Sequence, residues 1–353
     1  MGMLADRIGY VKSLKIGTAM FVLAGLVLSF GITQTTFLLS TGISVLAWLI
    51  FGSASSAYVL ASAGEESGSY MGIWDSSASA GSVVSIMLLP LLLSGSAFLM
   101  GSTIAGLIII SYIFLLKVPE EKHRHPRVVT GEKALYLRRH FFHKLFGAMG
   151  KLNPASWILA LKNFAAATYY GTLWFVIPLI IESTGSKVLS FGLAIFDLSA
   201  VALGFLIGRM ADSMNKKVLI FFGLLVFWIS GAALSFHFGW LFVLLGFIAS
   251  TGDEIAEISL WAWMHKLDKK HLDDGLVSGV IVLFSDLGWC IGPIMAGFAL
   301  PRLGSSYAIL LGAGLLFVLW ITTTALTWSA KLEIPERTQG LIPRKPNSPR
   351  HKH

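Results

Sequence analysis

Ten apolar stretches, each 19 to 28 residues long, alternate along this chain with short polar segments. They run from Leu14 to Ile32, Thr36 to Ser62, Gly68 to Leu93, Ser96 to Leu116, Pro154 to Ile181, Val188 to Gly208, Val218 to Phe236, Trp240 to Met264, Gly275 to Leu300 and Ser305 to Trp328. A helix rising about 1.5 Å per residue needs about 20 residues to cross a hydrocarbon core of roughly 30 Å, so each stretch is long enough to span. Helices are expected because backbone amides in lipid must be satisfied within their own segment, and no alternating short-strand pattern suggests a barrel. The pattern therefore predicts an all-α polytopic membrane protein with four spans, a polar break, and six more.

Composition and charge sharpen this picture. Hydrophobic residues make up 55% of the chain and charged residues 13%, and mean hydropathy is +0.74, which excludes an ordinary soluble domain. Of the 27 Lys and Arg, Lys187 and Arg302 fall on one predicted side and Lys162 inside a span, leaving 24 on the other side. By the positive-inside rule that side is cytoplasmic, with both termini on it, and the cell membrane is the expected location. The same skew accounts for the net charge of +8 without a nucleic acid partner. No cleavable signal-peptide pattern is evident between Met1 and Lys15. The single cysteine, Cys290, lies within a span, and the close pairs His123/His125 and His351/His353 lack a third ligand, so no metal site or cofactor is expected.

Four regions follow: a half-bundle over residues 1–116, a basic connector over 117–152, a six-helix half-bundle over 153–330 and a polar tail over 331–353. Between Gly131 and Leu152, Leu135, Phe141, Phe142, Leu145, Phe146 and Met149 fall largely on one helical face, opposite Arg138, Arg139, His143 and Lys144. Such a helix can lie among anionic lipid headgroups or serve as a solvated linker between bundles.

Two short motifs carry more information than the spans. Gly2-Met3-Leu4-Ala5-Asp6-Arg7-Ile8-Gly9, followed by Lys12, precedes the first apolar run. A degenerate copy, Gly208-Arg209-Met210-Ala211-Asp212-Ser213, precedes the seventh, with Asp212 lying 206 residues after Asp6. Gly68 and Gly72 recur as Gly275 and Gly279, 207 residues on, and Gly81 recurs as Gly288. Recurrence at nearly the same offset is what two homologous halves produce. The first motif resembles the signature loop of the major facilitator superfamily, G-x-L-A-D-R-x-G, which in that family joins the second and third membrane helices on the cytoplasmic side. The resemblance implies the major facilitator fold, with the first two helices missing from this chain through fragmentation, a late start or a true ten-helix variant.

It also implies roles. Asp6 would meet the helix start near Gly275 and Asp212 the start near Gly68, where a carboxylate is favoured by exposed amides and the helix dipole, latching the halves on the cytoplasmic side. Gly2, Gly9 and Gly208 would allow the tight path, and Arg7 could bridge Asp273 or Asp274. Gly288-Trp289-Cys290-Ile291-Gly292-Pro293, continuing to Gly297, resembles the family's glycine-proline element. Small residues there permit close helix packing and the proline permits bending. The corresponding first-half stretch at Gly81 has lost the second glycine and the proline, which leaves antiport direction open.

The candidate chemistry is acidic. Asp253, Glu254 and Glu257 sit in the middle of one span, within one arc of its helix, and Asp253 lies roughly 20 Å along the axis from Lys266. An intramembrane carboxylate costs about 2.5–3.5 kcal/mol and usually faces a partner or a water-filled path. Three together cannot all ionise cheaply, which outlines a proton site; the other reading is a structural network with Lys162. The family places this helix, its tenth, along the central cavity. Asp75, Asp197 and Asp286 are further intramembrane acids, and the span starting at Pro154 adds Lys162, Asn163, Tyr169, Tyr170 and Trp174. Tyr169 and Tyr170 are adjacent, so only one can face the interior squarely.

The sequence thus predicts a monomeric secondary transporter of a small solute, working by alternating access and driven by protons rather than ATP, since no G-x-x-x-x-G-K-[ST] loop occurs. Nucleophile-base spacing suggestive of an enzyme is absent. The rival expectation is a non-transporting remnant or scaffold of the same fold.

Overall fold

The computed structural model describes residues 8–63, 66–93, 96–119, 150, 154–184, 187–236, 239–267 and 274–329. Among them ten α-helices follow one another without a strand: α1 (Tyr10–Ser29), α2 (Gln34–Ala63), α3 (Ser67–Leu93), α4 (Ala97–Leu116), α5 (Pro154–Thr184), α6 (Lys187–Ser213), α7 (Lys216–Ala233), α8 (Trp240–Leu267), α9 (Asp274–Leu303) and α10 (Ser305–Ser329). Eight are by themselves long and apolar enough to cross a membrane, namely all but α3 and α8 over the described residues. The three carboxyls of α8 interrupt its apolar run.

Local sequence explains the helix ends. Pro154 opens α5, where a missing N–H costs nothing. Asn215 caps α7 by accepting from the Lys217 N–H at 3.0 Å, and Ser96 caps α4 by accepting from Leu99 at 3.2 Å. Gly304, at φ +83°, is the one residue between α9 and α10, a left-handed position that suits glycine. Helices also run past the apolar stretches: α6 continues through Arg209 and Asp212, and α8 through His265 and Lys266. The start of α1 likewise includes Lys12 and Lys15.

Two groups of helices form. In the first, α1 packs against α2 and α4, and the Ser40 hydroxyl of α2 donates to the Ala24 carbonyl of α1 at 2.9 Å. In the second, α5 packs against α9 and α10, and α8 against α7 and α6. The main buried cluster lies here, around Tyr169, Leu173, Phe227, Leu260 and Trp263. In lipid such packing gains little from hydrophobic transfer and depends on close van der Waals fit, so small residues matter where axes converge. Along α9, Gly288 and Gly292 lie against the backbone of α5 at Phe164 and Thr168, and the Thr172 hydroxyl donates to the Gly292 carbonyl at 3.3 Å. Gly297 differs from the expectation: its nearest neighbour is the tip of Phe175, 3.9 Å from where a Cβ would stand, so it belongs to no close seam.

The two groups meet chiefly along α3 and α6. Gly68 and Gly72 of α3 face Gly208 and Gly204 of α6, backbone against backbone. The Ser76 hydroxyl donates to the Ala200 carbonyl at 2.8 Å, and further along Ser82 donates to Asp197 at 2.5 Å. A second contact joins α2 to α9 through the Ser56 and Ser278 hydroxyls, 3.0 Å apart. Arg209, Lys216, Lys217 and Lys266 gather at the end of the bundle where α3 begins and α6 finishes. We call this the basic end.

Candidate functional site

Lys162 is the centre of the polar interior. Its side chain is 0% exposed, although it sits only eight residues into α5. The ammonium contacts Asp253 Oδ1 at 2.6 Å and Glu257 Oε2 at 2.5 Å, both on α8. These acids are four residues apart, so one helical face presents both to a single cation. Glu257 also accepts from the Trp261 indole N–H at 3.3 Å and is bonded by Asn163. Asp253 accepts from the Tyr170 hydroxyl at 3.1 Å. A buried charge survives only when paired and hydrogen-bonded. Here one cation, two carboxylates, an indole, an amide and a phenol meet that condition together.

The aromatic wall beside this triad fixes Tyr170. Its ring stacks on Phe227, with centroids 5.7 Å apart, and meets the edge of Phe196 at 5.6 Å. Tyr169 points elsewhere, its hydroxyl donating to the Gly231 carbonyl of α7 at 2.9 Å. The two adjacent tyrosines thus divide their work, one toward the acids and one into the packing between α5 and α7. Trp174, a turn further along α5, is 39% exposed and stands outside the cluster.

The three acids of α8 do not share one partner. Glu254, about 100° around the helix from Asp253, turns away from Lys162 toward Asp75 of α3, whose carboxyl lies within hydrogen-bonding reach. The polar interior therefore runs from α5 through α8 to α3 and crosses from one helix group to the other. Asp197 is held by Ser82, and Asp286 of α9 lies beside the Trp48 indole of α2. Neither belongs to the Lys162 cluster.

At the basic end, Asp212 occupies the start of α3. Its Oδ1 accepts from the Gly68 N–H at 2.8 Å, and its Oδ2 accepts from the Ser69 N–H at 2.8 Å and the Ser69 hydroxyl at 2.7 Å. These donors are unsatisfied at any helix start, and the helix dipole adds attraction for an anion. Of the other motif residues, Gly9 precedes α1 at φ +95°, whereas Gly2, Asp6, Arg7 and Asp273 lie outside the described residues, as does most of the basic connector. Asp212→Ala should loosen the basic end by about 0.3–1 kcal/mol, or up to about 2 if the site stays partly buried. Spin-label distances between α2 and α6 across that end would broaden toward longer values; an unchanged distribution would show that the contact does not hold the halves together.

Sequence reasoning missed several partners. Ser69, Ser76 and Ser82 carry no distinguishing signal among the serines of α3. Trp261 could have been found, because it lies four residues after Glu257 on the same helical face.

Among the described residues, a bundle of ten helices in two groups, glycine seams, and a carboxylate seated on a helix start of the opposite group describe a known architecture. A sequence profile described as Major Facilitator Superfamily matches residues 1–293. The chain belongs to that superfamily. Similar solved structures include the human organic anion transporter MFSD10 (TETRAN), with TM-score 0.73 and 14% identity, covering 91% of this chain and 79% of that one. Another is FucP, described as a Major Facilitator Superfamily transporter in the outward conformation, with TM-score 0.70 and 13% identity, covering 92% of this chain and 85% of that one. At such identities the likeness is one of fold. Among curated protein sequences none matches this facilitator. Family and fold together support a transporter function in a membrane.

Proposed function

We propose that this facilitator is a secondary active transporter that moves a small solute by alternating access, uses protons as the driving ion, and faces the cytoplasm with its basic end. The observation that carries this reading is the buried ion cluster of Lys162, Asp253 and Glu257, tied through Glu254 and Asp75 to the opposite helix group. A purely structural bundle gains little from burying a cation and several carboxyls, since a well-packed apolar replacement is often neutral or more stable. In a transporter the same groups serve as solute ligands and proton carriers that rearrange as the halves rock. Orientation is supported by the gathering of basic residues at one end.

The test is transport by the purified protein in sealed vesicles under an imposed pH gradient, with a panel of small cations, zwitterions and anions. Solute-dependent proton movement, reduced at least about tenfold in Asp253→Asn, where one charge-assisted ligand worth about 1.5–3 kcal/mol is lost, is the expected outcome. Vesicles in which no solute moves and no solute raises the melting temperature would favour the scaffold reading instead.

A further inference from the structure

The seam between α7 and α8 is tight enough to fix its register. A Cβ at Gly223 of α7 would stand 2.8 Å from the Ala256 nitrogen of α8, and one at Gly252 of α8 would stand 2.6 Å from the Phe227 nitrogen of α7. These pairs step in opposite directions along the two helices, so the pairs that follow toward the basic end are Ile220 with Ser259 and Lys216 with Trp263. Lys216 lies seven residues before Gly223 and Trp263 seven after Ala256, which is two turns along the same helix faces.

This end of the seam collects side-chain donors without an acid. Lys216 is 3% exposed, and Ser259 and Trp263 are 0% exposed. The Trp263 Nε1–H and the Ser259 hydroxyl have no hydrogen-bond partner. Among the described residues no carboxylate is ion-paired with Lys216; the ion pairs there are those of Lys162. Asp212, four residues before Lys216, gives both carboxylate oxygens to the start of α3. Lys266, three residues after Trp263, adds a second ammonium on the same side of α8 and is only half-buried, so the site is reached from the basic end. A buried ammonium is stable only beside a counter-charge, and a buried N–H only with an acceptor. One anion supplies both.

We propose that the α7–α8 seam binds a phosphate group, held by the Lys216 and Lys266 ammoniums and the Trp263 indole N–H, with the Ser259 hydroxyl one turn deeper. Two cations and two neutral donors from two helices suit an ion whose charge is spread over several acceptor oxygens. α7 is apolar enough to span from Lys216 onward, so this level is where hydrocarbon gives way to headgroups. A phospholipid phosphate and a free phosphate present the same chemistry there. The site is separate from the Lys162 cluster, and its occupancy ties α7 to α8 whether or not a solute moves.

The test follows the melting temperature of protein delipidated in an uncharged sugar detergent during titration with sodium phosphate, with sodium chloride at matched ionic strength, and with short-chain phosphatidylglycerol. Phosphate, the lipid or both should raise it saturably, and chloride should not. A rise with both marks a site open to the free ion, and a rise with the lipid alone marks a headgroup site. Lys216→Gln should raise the half-saturating concentration at least about tenfold, because a charge-assisted bond is lost. Trp263→Phe removes the N–H and keeps an aromatic ring; it should raise it about two- to tenfold, and it serves alone if Lys216→Gln fails to fold. Arg209→Gln, at an exposed guanidinium lying over Phe205 at the same end, should bind as wild type does. No saturable rise with either phosphate source, a rise matched by chloride, equal half-saturation in wild type, Lys216→Gln and Trp263→Phe, or an equal loss in Arg209→Gln would overturn the site. Only binding is read, so these outcomes leave the transporter reading to its own test.

Discussion

Lys162→Met should be the most damaging single substitution in the molecule, lowering stability by about 3–5 kcal/mol, because it leaves two carboxyls buried with no counter-charge. The ammonium is fully buried and contacts both Asp253 and Glu257, whose side chains are 10% and 28% exposed, so solvent can replace it only in part and mainly at Glu257. Thermal unfolding in detergent would show the loss as a large fall in melting temperature. Adding Asp253→Asn and Glu257→Gln to Lys162→Met should restore most of it, since the orphaned charges are then gone. If Lys162→Met unfolds at the wild-type temperature, the ammonium is not what pays for burying the acids.

Gly72→Ala should act on conformation rather than on folding. A Cβ at Gly72 would run into the Gly204 carbonyl of α6, and a Cβ at Gly204 would meet Ser76 of α3. Overpacking costs about 1–3 kcal/mol, and it is felt only while α3 and α6 lie together, which corresponds to about a 5- to 150-fold shift toward separated halves. Cross-linking between Ser62→Cys and Met214→Cys should fall accordingly. Gly81→Ala provides the control, because nothing lies within 4 Å of its Cβ position on the same helix. Equal cross-linking in Gly72→Ala and Gly81→Ala would show that the seam has slack.

The spans were legible because bilayer thickness imposes a length that composition reports directly. Their ends were less so. α6 and α8 continue through Arg209, Asp212, His265 and Lys266, and hydropathy is blind to a helix that goes on after its apolar stretch stops. In the interior, Asp253, Glu254 and Glu257 stood out through their cost, and Lys162 was named as a partner. What could not be read was the division between them. About 100° of helix separates Asp253 from Glu254, enough to address different neighbours, and which neighbours those are is decided by how α3, α5 and α8 converge. The seat of Asp212 on α3 followed from the resemblance, but the added Ser69 hydroxyl had no sequence signal.

The Lys162 ion pairs also bear on how the chain is made. α8 carries three carboxyls and is not among the helices apolar enough to enter a bilayer alone. Each acid near a span's centre costs about 2.5–3.5 kcal/mol on insertion scales. α5 leaves the ribosome first, already carrying Lys162, and its ammonium supplies the counter-charge that α8 lacks. Insertion of α8 should therefore depend on α5, and a chain whose α5 has lost that lysine should insert α8 less completely, which protease or glycosylation mapping of the flanks of α8 would show.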